Sequence, residues 1–101
     1  MKISSNGQAN WKYDSSIAFD KVVKQSIGAV VDPIKRRLIA QTFAKALDHI
    51  KRDPLAAGGP RFRYHQLGLL NYVYLTEYFA LHYAADETRH LIYLRKFVMF
   101  D

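Results

Sequence analysis

The amino-acid sequence predicts an α+β domain in which two helices precede an antiparallel sheet. Along residues 15–52, apolar residues recur at steps of three and four, which is the spacing of one side of a helix. After Pro60 the pattern changes to alternation, and residues 78–83 and 90–95 form two alternating arms around a polar turn at residues 85–88. Helices followed by a hairpin indicate a helical layer packed on a meander sheet, and not an alternating α/β fold.

Length and composition indicate a single domain over residues 1–101. Half of the residues are hydrophobic, which is enough for one core in a chain of 101 residues. Residues 1–9 are polar and are expected to form a flexible arm. No apolar run approaches the roughly twenty residues that a membrane span needs, and the first ten residues lack the apolar stretch of a signal peptide. We therefore expect a cytoplasmic protein that makes no membrane contact.

The N-terminal half is expected to contain a short strand and two helices. Residues 11–14 alternate as in a strand. Ser15 and Ser16 are good N-cap residues for a first helix, and Asp32 followed by Pro33 is typical of the start of a second. The apolar positions expected on the inner sides are Phe19, Val22, Val23, Ile27 and Val30 in the first helix, and Ile39, Phe43, Ala46, Leu47 and Ile50 in the second.

A loop is expected to carry the chain from the helices into the sheet. Asp53 and Pro54 end the second helix, and residues 55–60 contain two glycines and a proline. Residues 61–64 are either an edge strand or an extended loop, and residues 71–76 alternate clearly as a strand. This alternation predicts a face that packs on the helices, with Val73, Leu75, Phe79, Leu81, Ile92 and Leu94, and an opposite face with Tyr72, Tyr74, His82, Tyr93 and Arg95.

The charge of the chain favours an anionic partner. Fifteen Lys and Arg against nine Asp and Glu give a net charge of +6, which attracts nucleic acid or an acidic protein. Tyrosine rings stack on bases and arginine neutralises phosphate, so the opposite sheet face suits single-stranded nucleic acid. The same tyrosines also fit cross-strand packing or contact with a partner protein. The residues predicted to bind nucleic acid are Arg61, Arg63, Tyr72, Tyr74, Arg95 and Lys96.

Three residues of the same face have the side chains that metal-independent RNA cleavage requires. A base takes the 2′-hydroxyl proton, an acid protonates the leaving oxygen, and cations stabilise the charge at phosphorus. His82, Tyr93 and Arg95 are the candidate catalytic residues, although a lone histidine in a sheet also fits a structural role. The chain has no cysteine, no HxxxH spacing and no GxxxxGK loop, so we expect neither a metal site nor a cofactor.

Taken in order, these elements resemble the RelE/ParE toxin superfamily over nearly the whole chain. The order begins with residues 11–14, and its strongest local pieces are the Asp-Pro and Gly-Gly loop within residues 53–59 and the strands at residues 81–86 and 91–95. The resemblance implies the toxin of a type II toxin-antitoxin pair, which either cuts messenger RNA on the ribosome or, in another branch, inhibits gyrase. It also implies an antitoxin whose tail wraps around the toxin. Arg95 is the family position that carries over.

Two departures from the family pattern bear on catalysis. Ribonuclease members place a cation at the start of the penultimate strand, where this chain has Tyr78 and Phe79. They also place a tyrosine or histidine shortly after the arginine of the last strand, where this chain has only apolar residues at 97–100. We therefore expect weak or absent ribonuclease activity. The hypotheses are a metal-independent endoribonuclease, a basic protein of the same fold that blocks its target without cleaving it, and a module whose aromatic face forms a homodimer.

Overall fold

Helices and strands are segregated along the chain, as the sequence predicts. The computed structural model of the chain describes residues 11–58, 64–66 and 69–100. Its elements are β1 (Lys12–Ser15), α1 (Ile17–Gly28), α2 (Pro33–Arg52), α3 (Pro54–Ala57), β2 (Tyr64–Gln66), β3 (Leu69–Leu75), β4 (Phe79–Asp86) and β5 (Leu91–Met99). The α+β class, with a short first strand, two helices and a closing antiparallel meander, is confirmed.

The five strands form one sheet in the order β1-β5-β4-β3-β2. Strands β2 to β5 pair with their neighbours in antiparallel fashion, as a meander does. Strand β1 instead pairs in parallel with β5, with Lys12 beside Leu91 and Ser15 beside Leu94. The first strand of the fold is therefore held by the last one, and the two helices connect β1 to the meander.

The helix ends are fixed by the residues that the sequence indicates. The Ser16 hydroxyl accepts a hydrogen bond from the Phe19 amide at 3.0 Å, and the Asp32 carboxylate accepts one from the Ile34 amide at 2.9 Å. These are N-cap contacts of α1 and α2. Arg36 donates to the Val30 carbonyl oxygen at 2.8 Å and so ties the two helices together at their turn. Within residues 11–58, neither helix has the length and apolar character needed to cross a bilayer.

The core lies between the two helices and one face of the sheet. Three phenylalanines connect the two layers: the Phe43 ring on α2 meets Phe79 and Phe97 edge to face, with centroids 5.9 and 5.5 Å apart. Val22 is 44% exposed and does not belong to the inner side of α1, contrary to prediction. The predicted core residues Phe19, Val23, Ile39, Ala46, Ile50, Leu81, Ile92 and Leu94 are buried, while Ile27, Val30, Phe43 and Leu47 are partly buried and pack against them.

The predicted faces of β3 are inverted. Tyr72 and Tyr74 belong to the face that packs on the helices, while Val73 and Leu75 point to the opposite side. Both sets of alternate positions in this strand are apolar or aromatic, so alternation alone does not say which set is inside. The larger aromatic rings bury more apolar area, and they occupy the core.

Two predicted boundaries also shift. Strand β4 runs on through Ala85 to Asp86, so the turn lies at residues 87–90 and not at 85–88. Residues 55–57 of the predicted loop belong to the short helix α3 (Pro54–Ala57), whose C-cap is Gly58. The Tyr83 hydroxyl holds this segment, because it donates to the Pro54 carbonyl oxygen at 2.6 Å and accepts from the Gly58 amide at 2.9 Å. The α3 segment is thus hydrogen-bonded to the middle of β4 at both of its ends.

Candidate nucleic-acid interface

The sheet face that points away from the helices, called the open face here, carries the candidate site. Alternation from the core positions assigns its residues: Asn71, Val73 and Leu75 on β3, Ala80, His82, Ala84 and Asp86 on β4, and Leu91, Tyr93, Lys96 and Val98 on β5. Asn71, Val73, Ala80 and Ala84 are buried nonetheless. A ligand on this face would therefore meet the less buried side chains, among them His82, Tyr93 and Lys96.

A β-bulge in β5 places two cations side by side. Tyr83 pairs with Leu94 but the preceding residue, His82, pairs with Lys96, so that Arg95 is the extra residue of the strand. Leu94 and Phe97 both belong to the core, and both residues between them therefore lie off the core face. Arg95 and Lys96 are exposed. A regular strand would have presented only one of them beside His82.

His82 lies directly opposite Lys96 and is half-buried. Burial lowers the pKa of His82 below its ordinary value, and the positive charge of Lys96 lowers it further. Both effects disfavour the imidazolium form. The imidazole is therefore neutral at pH 7 and keeps one ring nitrogen free of a proton, as a proton acceptor must.

Tyr93 stands on the same face, next to His82 along the diagonal of the strand pair. It pairs with Ala84, which is two positions from His82 on β4. Diagonal neighbours in an antiparallel pair have Cα atoms about 7–8 Å apart, within reach of long side chains. The three predicted catalytic residues, His82, Tyr93 and Arg95, thus occupy neighbouring positions of β4 and β5 off the core, and Lys96 lies opposite His82.

An open cavity of about 350 Å³ borders the two cations. It lies where β1 has ended at Ser15 and the start of α1 runs alongside β5. Ser16 and Val22 of α1 line one side, and Arg95 and Lys96 line the other. The cations are consequently accessible both from the open face and from the edge of the sheet.

Two tyrosines predicted to bind nucleic acid lie on the wrong face for that role. Tyr72 is 1% exposed, and its ring stacks on Tyr83 with centroids 5.2 Å apart. The Tyr74 hydroxyl lies 2.9 Å from His49 Nδ1 on α2. Both rings are used inside the fold, because the register of β3 turns them toward the helices. Neither ring belongs to the open face.

The remaining predictions concern two arginines and the absence of a metal site. Arg61 and Arg63 lie outside the described residues. Among residues 11–58 and 69–100, no three His, Asp or Glu side chains come together as metal ligands would.

A second basic group, at the turn between β4 and β5, was not predicted. Lys12, Arg89 and His90 lie together there because β1 pairs with β5 in parallel and begins beside this turn. Arg89 and His90 are adjacent in sequence, but Lys12 is far from them. The parallel pairing of β1 with β5 brings Lys12 next to the turn. No local sequence pattern predicts that pairing.

The open face thus combines a neutral imidazole, a phenol and two exposed cations around the bulge of β5. Such a set can hold a phosphate group and exchange a proton beside it. Comparison of the chain with models of known protein families, with curated proteins and with solved structures finds no significant match.

Proposed function

We propose that the chain is a toxin-like protein of a type II toxin-antitoxin system that acts in the cytoplasm on RNA, either messenger RNA on the ribosome or another nucleic-acid target. The observation that carries the proposal is the bulge of β5, which sets Arg95 and Lys96 beside His82 on an open sheet face. Two adjacent cations suit successive or shared phosphate oxygens of a nucleic-acid backbone.

The order of the elements supports the same proposal. The resemblance to RelE/ParE toxins rests on a short strand, two helices, a loop and a closing meander, and the chain has these elements in that order. The position that carries over from the family, Arg95, is exposed on the last strand. A net charge of +6 fits a nucleic-acid target as well as an acidic antitoxin.

The chemistry proposed for the open face follows from the state of each group. Neutral His82 takes the proton of a 2′-hydroxyl, whose oxygen then attacks the neighbouring phosphorus. Arg95 and Lys96 stabilise the charge that develops on the phosphate oxygens. Tyr93 is the group placed to donate a proton to the leaving 5′-oxygen. No metal is needed for these steps.

Activity is nevertheless expected to be weak. Loss of one preorganised charge-stabilising group typically lowers a rate by about 100- to 1,000-fold. The start of β4 carries Tyr78 and Phe79 where ribonuclease members have a cation, and Phe97 to Phe100 supply no acid or base. Lys96, opposite His82, compensates for part of this loss, because it is a cation beside the proposed base.

Inducible expression in bacteria tests the proposal, with growth and ribosome-dependent cleavage of messenger RNA followed together. We expect growth arrest by the unaltered protein, and loss of arrest in Arg95→Ala. The matched control is Lys45→Ala, an exposed cation on α2, which should leave arrest unchanged. Equal behaviour of the two variants, or the absence of both growth arrest and RNA binding, would contradict the proposal.

The same system tests the proposed antitoxin. A small acidic protein encoded beside this chain should relieve growth arrest when the two are expressed together. It should also form a stable complex with the purified chain, since opposite net charges favour association. Lack of any rescue by the neighbouring reading frame would count against a toxin-antitoxin pair.

One observation favours the alternative of a non-catalytic binding or homodimerising module. One end of the open face is apolar: Leu75 is 49% exposed, Val98 is partly exposed, and Ala80 lies between them. Two copies that joined their open faces would cover these side chains. Sedimentation analysis of the unaltered protein and of Leu75→Lys decides this point. A dimer that Leu75→Lys abolishes would establish the alternative.

A further inference from the structure

A basic cavity lies at the end of the sheet that is remote from the bulge. Its volume is about 480 Å³, within the range of ligand-binding clefts in proteins. It is lined by Lys12, Thr88, Arg89, His90 and Leu91. Two of these side chains are cations, one is a hydroxyl and one is an imidazole, so the lining is rich in hydrogen-bond donors.

The turn that forms this cavity is held in a fixed conformation. The Asp86 carboxylate accepts hydrogen bonds from the amides of Thr88 and Arg89 at 3.1 and 3.2 Å. His90 then adopts a φ of 55°, in the left-handed region that few residues other than glycine occupy. Its ring stacks on Trp11 with centroids 4.9 Å apart, and its carbonyl oxygen accepts from the Lys12 amide at 3.0 Å. The ring of His90 is therefore held by the indole of Trp11, and its backbone is held by β1.

The cations of the cavity are available to a ligand. The Arg89 side chain is 71% exposed, and its contact with the Asp86 carboxylate is 3.7 Å long. Charge-assisted hydrogen bonds are about 2.7–2.9 Å long, so Arg89 still has donors to offer. Lys12 is also exposed. One oxygen of the Asp86 carboxylate accepts from the turn amides and the other lies near Arg89, but Asp86 is not among the residues that line the cavity. The lining thus contains two cations and no carboxylate, which suits an anion.

We propose that this cavity is a phosphate-binding subsite, in which Arg89 and Lys12 pair with the phosphate oxygens while the Thr88 hydroxyl and His90 donate hydrogen bonds. Lys12 and Leu91 belong to the same face of the sheet as Tyr93 and Lys96. Leu91 and Lys96 are five positions apart on β5, which corresponds to about 17 Å. A nucleic-acid strand along β5 would then present one phosphate to the cavity and another to the bulge. That placement rests on the proposed function, whereas phosphate binding itself does not.

The test uses the full chain and two probes, inorganic pyrophosphate and a short single-stranded RNA oligonucleotide. Amide chemical shifts of residues 88–91 are followed by NMR while each probe is titrated. We expect saturable shifts at these amides. Arg89→Gln should weaken the binding about tenfold or more, as expected for the loss of a charge-assisted hydrogen bond. Arg37→Gln, an exposed arginine on α2, should change the affinity less than twofold.

The pattern of binding separates this proposal from the proposed function. Saturation by both probes, or by the oligonucleotide alone, with an Arg89→Gln effect supports a subsite for backbone phosphate. Saturation by pyrophosphate alone supports a subsite for a small phosphorylated ligand, and it removes support from an RNA target. Absence of saturable shifts at residues 88–91 with both probes, or equal affinities of Arg89→Gln and Arg37→Gln, would overturn the subsite whatever the result of the growth assay.

Discussion

Lys96 lies directly opposite His82 on the open face, and this pairing of a cation with an imidazole lowers the pKa of the histidine. The opposite arrangement, a carboxylate beside the ring, would raise it. Burial is the larger cause of the lowered pKa of His82, and the charge of Lys96 adds to it. The bulge at Arg95 shifts the register of β5 by one residue, so that Lys96 and not Arg95 is the cation opposite the ring.

Removal of the Lys96 charge should raise the pKa of His82. In Lys96→Gln the repulsion between the two cations is gone, and only burial still lowers the pKa. NMR titration of the imidazole protons gives both values directly. Lys45→Gln, on the far side of α2, should leave the His82 titration where it is. A pKa that falls in Lys96→Gln, or that both variants change alike, would contradict the pairing.

Acid should destabilise the fold through His82. The folded-state pKa lies below the unfolded value of about 6.5, so the unfolded chain binds a proton first as the pH falls. The free energy of unfolding is therefore unaffected by His82 above pH 6.5 and decreases as the pH falls from there through the folded pKa. Urea unfolding at pH 7.5 and pH 5.0 checks this. The loss of stability should be smaller in His82→Gln, and equal losses would speak against a depressed pKa.

Tyr83→Phe should destabilise the fold although it removes a single oxygen atom. The Tyr83 hydroxyl is the partner of both the Pro54 carbonyl and the Gly58 amide, and the residue is fully buried. Buried polar groups left without partners are expected to lower the free energy of unfolding by about 1–3 kcal/mol. Tyr93→Phe, on the open face, is the matched control and should change it by less than about 0.5 kcal/mol. The free energies of unfolding are measured with denaturant. Equal changes in Tyr83→Phe and Tyr93→Phe would show that the Tyr83 hydroxyl does not stabilise the fold.

Two glycines should respond in opposite ways to alanine. A Cβ at Gly58 would stand 2.6 Å from Tyr72 Cβ and 2.9 Å from the Tyr83 hydroxyl, so the α3 segment must move away from β3 and β4. Gly58→Ala is expected to lower the thermal midpoint. At Gly28 a Cβ has no neighbour within 4 Å, and Gly28→Ala at the end of α1 should stabilise by about 0.5–1 kcal/mol. A calorimetric midpoint that rises for Gly58→Ala would show that the segment is loosely packed.

RNA binding should depend on salt through Arg95. Each phosphate contact releases counterions, and removal of one contact from a single strand reduces the slope of log K against log salt by about 0.7. Arg95→Ala is expected to reduce the slope by that amount, while Lys45→Ala should not change it. A fluorescence anisotropy titration at several salt concentrations gives the slopes. If both variants give the slope of the unaltered protein, the positive charge acts as a diffuse field and the open face is not the site.

The sequence was sufficient for the fold class because local signals agree there with the final structure. Ser16, Asp32 and Pro33 mark helix starts that the structure confirms, and the change of period after Pro60 marks the passage into the sheet. The inner positions of the helices could be predicted for the same reason. Phe19, Val23 and Ile27, for example, are spaced four residues apart and therefore lie on one side of α1.

The site was predicted less well because its geometry depends on register. His82, Tyr93 and Arg95 were placed correctly off the core, since Leu81, Ile92 and Leu94 alternate with them. In β3 both alternate sets are apolar, so the orientation of Tyr72 and Tyr74 depends on packing between strands. The bulge at Arg95 likewise has no local signature, because it is the pairing of β5 with β4 that defines it.

The parallel pairing of β1 with β5 also has a consequence for synthesis of the protein. A ribosome delivers β1 and the helices well before β5, so β1 has no partner strand until nearly all of the described chain has emerged. A nascent chain therefore carries Lys12 and Tyr13 without the strand that positions them, and the basic cavity and the bulge form only when β5 arrives.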